Sequence, residues 1–346
     1  MSPMGKRNHS GVILIYALWI LGLLAVFTLT LGKQIRQKII LVGRLEKREE
    51  ARTLARAGVL KAIAVLNQDL ESNGRDWTPA TKQNRLNDPA RWANVPLGDG
   101  SFSVSYQFSD GAVDSQKSYG MMDEEGRLNL NKADETFLRA LLKEVLGGDP
   151  QEIDRLAVSI VDWRKKGSSE LSGFYSDEYY ANLRDPYPVK DSDYETLDEL
   201  LLVRGMTPEI FAVLKNYVTF VGDGKINVNT ASRPVLLALG LEAVLVDELI
   251  SLRRGADGLE GTSDDFIFAR AYDIAGDLVA SGTVKPEEIG HLEELNARGI
   301  LGTESAHYRI AAVASLVAST QKARVLCVYD ALQKKIRYWK EELVSE

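Results

Sequence analysis

From Val12 to Leu31 the chain carries twenty residues without a charged side chain. A helix of that length spans about 30 Å, the hydrocarbon thickness of a bilayer. The helical pattern continues past this run. No proline occurs between Pro3 and Pro79. Ile35, Ile39, Val42, Leu45 and Leu54 continue an apolar stripe between charges, and Leu60, Ile63, Leu66 and Leu70 extend it. The pattern predicts one helix from Val12 to about Leu70, half in lipid and half beneath a water-facing domain. A hinge near Gly32 or Gly43 is a variant of the same reading.

After Pro79 the period changes to two. Asp99-Gly100 opens, and Asp110-Gly111 closes, a segment in which Phe102, Val104, Tyr106 and Phe108 alternate with polar residues, the pattern of a half-buried strand. Alternation returns at Tyr308, Ile310, Ala312 and Ala314, then over Arg324 to Tyr329 after a turn at Ser319 to Lys322, and over Lys335 to Trp339. The stretch between reads as helices over Ala133–Val145, Gln151–Lys166, Thr196–Arg204, Thr207–Val221, Arg233–Leu239 and Glu242–Arg254. Sequence-adjacent strands usually pair, so a gap of nearly 200 residues implies an insertion that folds on its own.

The insertion echoes itself. Leu128-Asn129-Leu130-Asn131-Lys132-Ala133 resembles Ile226-Asn227-Val228-Asn229-Thr230-Ala231, each ahead of a helix. Asn131 and Asn229 are expected to cap those helices. Between the copies, Gly205 ends one helix, Thr207 caps the next and Pro208 opens it, an αα-hairpin. Such hairpins serve either as sterile-alpha-motif (SAM)-like protein-packing modules or as DNA grips.

Charge bears on that choice. Residues 1–60 carry a net +7, whereas residues 121–300 carry −15 of an overall −7. An acidic insertion repels phosphate backbones, and the turn Leu239-Gly240-Leu241-Glu242 places a carboxylate where phosphate would sit. No nucleic-acid partner is expected. One cysteine, Cys327, excludes an internal disulfide framework, and His9, His291 and His307 are too scattered for a multi-histidine zinc site. No G-x-S-x-G, H-E-x-x-H or P-loop occurs, Cys327 lies within a strand pattern, and Asp162-Trp163 reads as packing plus a surface carboxylate. The expectation is a protein of assembly, not an enzyme.

Three readings of the N-terminus compete: a cleaved secretory signal with Thr30-Leu31-Gly32 as its site, a plain single-pass anchor, and a prepilin-type leader ending at Gly11 with a mature chain from Val12. The last fits a set of features that together resemble the K subunit of type II secretion systems, a minor pseudopilin. They are the basic leader to Gly11; the run from Val12; Tyr16 at mature position five, where most pilins carry glutamate; the alanine-rich Ala51 to Gly58; Val161-Asp162-Trp163-Arg164; Leu200 to Glu209; and the motif from Ile226 to Ala231.

The resemblance implies an α+β fold. A pilin-like long N-terminal helix packs on a small antiparallel sheet, which is split by a large, mostly α-helical insertion of SAM-like or helix-hairpin type. Expected boundaries are a leader at 1–11, a transmembrane part at 12–31, a periplasmic helix at 32–75, the first part of the sheet at 76–124, the insertion at 125–300 (two subdomains, about 125–222 and 223–300) and the rest of the sheet at 301–346. It implies a subunit at the tip of a periplasmic pseudopilus that promotes export across the outer membrane. It is anchored in the bacterial inner membrane and processed by a prepilin peptidase. Its partners are I- and J-type minor pseudopilins and the inner-membrane secretion platform. A carboxylate within a bilayer is costly unless paired, so a subunit with Tyr16 in its place does not need a neighbour's ammonium above it.

The resemblance also implies calcium in the insertion. Arg164, Lys165 and Lys166 stand where relatives carry acids after Asp-Trp. Oxygen ligands remain in Glu170, Asp177, Glu178, Asp191 and Asp193, and in a second loop holding Asp257, Asp264 and Asp265. Neither matches the EF-hand pattern, and solvated acidic loops are the competing reading. The alternatives to the secretion role are a membrane protein whose hairpins bind DNA during uptake, or a minor pilin of a type IV pilus.

Overall fold

The computed structural model describes residues 10–73, 88–108, 116–165, 176–258, 264–282, 284–317 and 319–344. The chain opens with a single helix, α1 (Ser10–Asn73), which runs through Gly22, Gly32, Gly43 and Gly58. Side chains 13–42 are all exposed. Burial begins at Ala51 and follows Leu54, Ala55, Gly58, Val59, Ala62 and Leu66, the i, i+3, i+4 spacing of one helical face. That face is rotated from the expected stripe, for Leu60 is 59% exposed and Ile63 only partly covered. Small residues sit there because the sheet comes very close. A Cβ added at Gly58 would lie 2.8 Å from the Phe102 ring and 3.0 Å from Ala312.

A short helix, α2 (Pro89–Trp92), capped by Asp88, leads to β1 (Val95–Leu97) and β2 (Gly100–Phe108). The chain returns as β3 (Gln116–Tyr119) and β4 (Met122–Asp123) before leaving the sheet. The turn expected at Asp110-Gly111 lies outside the described residues.

The insertion contains two units of similar plan. The first has β5 (Leu128–Asn129), α3 (Glu135–Leu146), α4 (Pro150–Arg164), α5 (Ser176–Ala181), a 3₁₀ turn at Leu197–Leu202, α6 (Pro208–Leu214) and β6 (Val218–Thr219), which pairs in parallel with β5. The helix expected to reach Val221 therefore stops at Leu214, because Val218 and Thr219 are taken into pairing with Leu128 and Asn129. The second unit has β7 (Ile226–Asn227), α7 (Arg233–Ala238), α8 (Ala243–Arg253), a 3₁₀ turn at Ala271–Asp273, α9 (Ile274–Ala280), α10 (Gly290–Ala297) and β8 (Leu301–Gly302), parallel to β7.

The chain re-enters the sheet as β9 (His307–Leu316), followed by β10 (Lys322–Asp330) and β11 (Lys335–Val344). The antiparallel order is β1-β2-β9-β10-β11. Gly100 to Val104 of β2 pair with Leu316 to Ala312 of β9, so strands on either side of the insertion become neighbours. Further along β9, β4 takes the place of β2, setting Met122 and Asp123 against Arg309 and Tyr308. The chain thus leaves and re-enters the sheet at adjacent points. The result is a mixed helix and antiparallel-sheet fold with a long N-terminal helix. Among the described residues the buried apolar side chains form two separate cores, one between α1 and the sheet and one inside the insertion.

Candidate functional site

Along α1 the outer turns have no cover. Ile35, Ile39, Ile40, Leu41, Val42 and Leu45 are each about half exposed or more, and Lys33, Arg36, Lys38 and Arg44 lie among them. α1 is long and apolar enough to cross a membrane. Gly11 and Val12 fall in its first turn and Tyr16 stands exposed on its wall; the leader up to His9 lies outside the described residues.

The Asn-x-Asn echo becomes one device built twice. Asn131 Nδ2 donates to the carbonyls of Tyr194 (3.0 Å) and Phe220 (2.9 Å), and its Oδ1 accepts the Tyr194 N–H (2.7 Å). Asn229 Nδ2 donates to Phe268 (3.0 Å) and Thr303 (3.2 Å), and its Oδ1 accepts the Phe268 N–H (2.9 Å). Neither caps a helix; the N-cap positions of α3 and α7 are Asp134 and Ser232. Each asparagine instead ties its strand to two distant segments of its unit. Arg164 donates to the carbonyls of Leu130 and Ala133, and Arg253 to those of Val228 (3.1 Å) and Ala231 (2.7 Å), closing both turns alike. Asp162, expected at the surface, is 2% exposed within α4. Gly205 adopts φ +83 between the 3₁₀ turn and α6, where Thr207 Oγ1 accepts the Ile210 N–H at 3.3 Å.

The α7–α8 turn shows no open phosphate cradle. His291 of α10 lies over it, with Nε2 3.0 Å from the Leu239 carbonyl oxygen.

Of the calcium candidates, Asp257, Asp264 and Asp265 converge, with one carboxylate oxygen from each within 4.8 Å of the others. The Asp264 carboxylate also accepts the Ala256 and Asp257 N–H groups (2.8 and 3.1 Å), which folds the loop back on itself. Three hard oxygen donors around one point suit Ca²⁺. In the other segment Glu170 and the Asp177 side chain lie outside the described residues, and Glu178, Asp191 and Asp193 are exposed and form no such cluster with described residues.

One site had no motif to announce it. Where the chain crosses between sheet and insertion, Asp123, Glu124, Glu125 and Arg127 are all buried, as are Asn227, Ser305 and Asp330. Glu124 is held by Arg309 of β9 and Arg127 (3.2 Å), and accepts the Thr219 hydroxyl of β6 at 2.6 Å. Burial pushes this carboxyl up, and the two guanidiniums outweigh burial and hold it below its ordinary range. Burial also lowers Arg127, to about 10. Glu125 accepts the N–H groups of Ala306 and His307 and lies 2.7 Å from His307 Nδ1, while His307 Nε2 faces Asp330 at 3.4 Å. Burial lowers His307, but its bond to Glu125 wins and raises it. Asp123 accepts the Glu125 N–H (2.8 Å), the Asn227 amide (3.0 Å) and a close contact from the Thr230 hydroxyl; burial, with the Glu125 carboxylate beside it, raises it to about 8. The run Asp123-Glu124-Glu125 ahead of the first echo was the signal in the sequence, hidden because adjacent acids usually mark a solvated loop.

Comparison with known proteins gives consistent results. Residues 120–223 match the family described as type II secretion system (T2SS), protein K. The chain is 25% identical over 255 residues to the type II secretion system protein K of Aeromonas hydrophila, covering 70% of this chain and 74% of that protein. Its fold is similar to a chain in the crystal structure of the GspK-GspI-GspJ complex from the type 2 secretion system of enterotoxigenic Escherichia coli. That likeness has a TM-score of 0.61 at 14% identity and covers 87% of this chain and 99% of that one.

Proposed function

We propose, from the premise of a type II secretion minor pseudopilin similar to protein K, that this chain is the tip subunit of the pseudopilus and promotes protein export across the outer membrane. It works by assembly, without catalysis. Residues 12–31 anchor it in the bacterial inner membrane, and the domain beyond faces the periplasm. A prepilin peptidase releases Val12, and the inner-membrane secretion platform holds the subunit while I- and J-type pseudopilins join it. Each half of the insertion serves as a SAM-like packing module, and calcium at Asp257, Asp264 and Asp265 stiffens the second. The thiol of Cys327, buried in β10 and pushed up to about 12, agrees with a non-catalytic role.

One observation carries this reading. α1 leaves Ile35, Ile39, Ile40, Leu41, Val42 and Leu45 uncovered below its own sheet, and helices of neighbouring subunits can bury such a stripe. The insertion rises from the other end of the sheet, with a charge that opposes a second copy stacked upon it. The test is co-purification of full-length protein with I- and J-type partners. Ile39→Asp with Leu45→Asp should abolish it while leaving the fold intact. Leu54→Asp is the wrong probe, since Leu54 belongs to the chain's own core. The mature N-terminus should be Val12, and Gly11→Val should block processing. Unimpaired partner binding by the double variant, or a mature chain beginning elsewhere, refutes the proposal.

A further inference from the structure

The two apolar cores do not merge, and a polar layer lies between them. Both chain crossings run through that layer. Gly126 passes so close to Thr230 that an added Cβ would sit 2.9 Å from its backbone oxygen. The Asn227 N–H donates to the Glu125 carbonyl at 2.9 Å, fixing the second unit against the chain that leaves the sheet. Orientation of the insertion therefore rests on this hydrogen-bonded layer, with a smaller contact to β11 beside it, where the Phe220 ring meets Tyr338 edge-on at 6.1 Å and Lys340 pairs with Asp198 at 3.0 Å.

Within this layer the charges pair unequally. Arg127 and Arg309 both serve Glu124. His307 stands between Glu125 and Asp330, and Arg337 of β11 serves Asp330 at 2.7 Å. Burial, and after it the acids Asp123, Glu125, Asp69 and Glu304, raise Tyr308 of β9 well above its ordinary value and keep it a neutral phenol. Among the described residues Asp123 is hydrogen-bonded to neutral groups, the Glu125 N–H, the Asn227 amide and the Thr230 and Ser305 hydroxyls, while Arg127, which feels its charge, is engaged with Glu124. The Thr230 hydroxyl, which donates to Asp123 Oδ2, also lies 3.4 Å from the Asn227 carbonyl, so it can turn to that carbonyl and accept a hydrogen when Asp123 carries one.

We infer that this joint is a proton-operated latch, in which Asp123 holds the insertion on the sheet as a neutral carboxylic acid and the joint loosens when that proton is lost. The sign follows from linkage. A carboxyl raised from 3.8 to about 8 contributes stability that is complete below 3.8 and is lost as pH rises towards 8, after which it falls no further. His307, also raised, acts in the same direction but only above its ordinary 6.5. Glu124 and Asp330, both lowered, act oppositely, and only below their ordinary 4.5 and 3.8.

Between about pH 5.3 and 6.5 the slope at this joint therefore comes mainly from the proton held at Asp123. The test is amide hydrogen exchange of the full-length chain in detergent, corrected for intrinsic rates. The opening constant of the Asn227, Ala306 and His307 amides should rise about tenfold per pH unit in that window, one proton's worth. Amides of the β9–β10 ladder should not follow. Asp123→Asn should abolish the slope. A flat profile in the parent, or the same slope in Asp123→Asn, overturns the latch. If that variant does not fold, infrared spectroscopy of the parent with isotope-labelled aspartate decides. A protonated Asp123 carboxyl band at pH 6.5 that disappears at pH 9.5 supports the inference, and its absence at pH 6.5 overturns it.

Discussion

Replacing Asn229 with alanine separates two accounts of the repeated Asn-x-Asn motif. If Asn229 merely capped α7, its loss would cost about 1 kcal/mol. In the structure the side chain makes three hydrogen bonds, to Phe268 N–H, Phe268 C=O and Thr303 C=O, from a position that is 8% exposed. Phe268 itself is 1% exposed, so water does not readily replace the amide there. Each buried group left without a partner costs about 1–3 kcal/mol. Over three such groups, with the lower half of that range taken because each carbonyl oxygen keeps a second lone pair, the sum is about 3–5 kcal/mol. That is a large share of the roughly 5–15 kcal/mol that holds a domain together. Because the unit is pinned at this point, the loss should appear as local unfolding of α8 to α10 before the first unit melts. Amide exchange in α8 and α10, set against α4 as an internal reference, measures it. Asn131→Ala should produce the mirror-image result, exposing the first unit through the Tyr194 and Phe220 groups. A loss of 1 kcal/mol or less, or equal loosening of both units from either variant, would refute the staple.

Gly58→Val should destabilise the packing of α1 on the sheet by about 1–3 kcal/mol, since its side chain would press on Phe102 and Ala312; thermal melting reads it, and an unchanged melt contradicts the close approach. Arg309→Met should cost about 1–3 kcal/mol in urea unfolding at pH 7, since Glu124 keeps Arg127 and Thr219 but loses its closer guanidinium. Stability from a lowered carboxyl is present above its ordinary 4.5 and lost as pH falls, so the deficit should narrow at pH 4. Calcium at 100 times its Kd should stabilise the parent by about 2.7 kcal/mol; in the combined Asp257→Asn, Asp265→Asn variant the shift should vanish, and an equal shift in that variant would place the ion elsewhere.

The long helix and the split of the sheet were legible in the chain because both are matters of local period. Twenty uncharged residues and an unbroken run without proline leave a helix as the one arrangement that satisfies the backbone in lipid, and strict alternation at Phe102–Phe108 and Tyr308–Ala314 marks strands wherever they pair. The echo of Leu128–Ala133 in Ile226–Ala231 was visible as well, but not what its asparagines do. Their partners, Tyr194 and Phe220 in one unit, Phe268 and Thr303 in the other, lie 39 to 89 residues away. Which face of α1 is buried was likewise decided by the sheet. An exposed stalk and a packed helix use the same apolar residues, and only the approach of Phe102 to Gly58 selects alanines over Leu60. The joint was least legible of all. Asp123, Glu124 and Glu125 have the composition of a solvated turn, and they become a buried network only because Arg309, His307 and Thr219 arrive from elements about 95 to 185 residues further on. The sequence alone determines the period of each element, which depends on neighbours a few positions away. Tertiary structure decides the fate of each charge, because the cost of burying one depends on partners that local pattern does not contain.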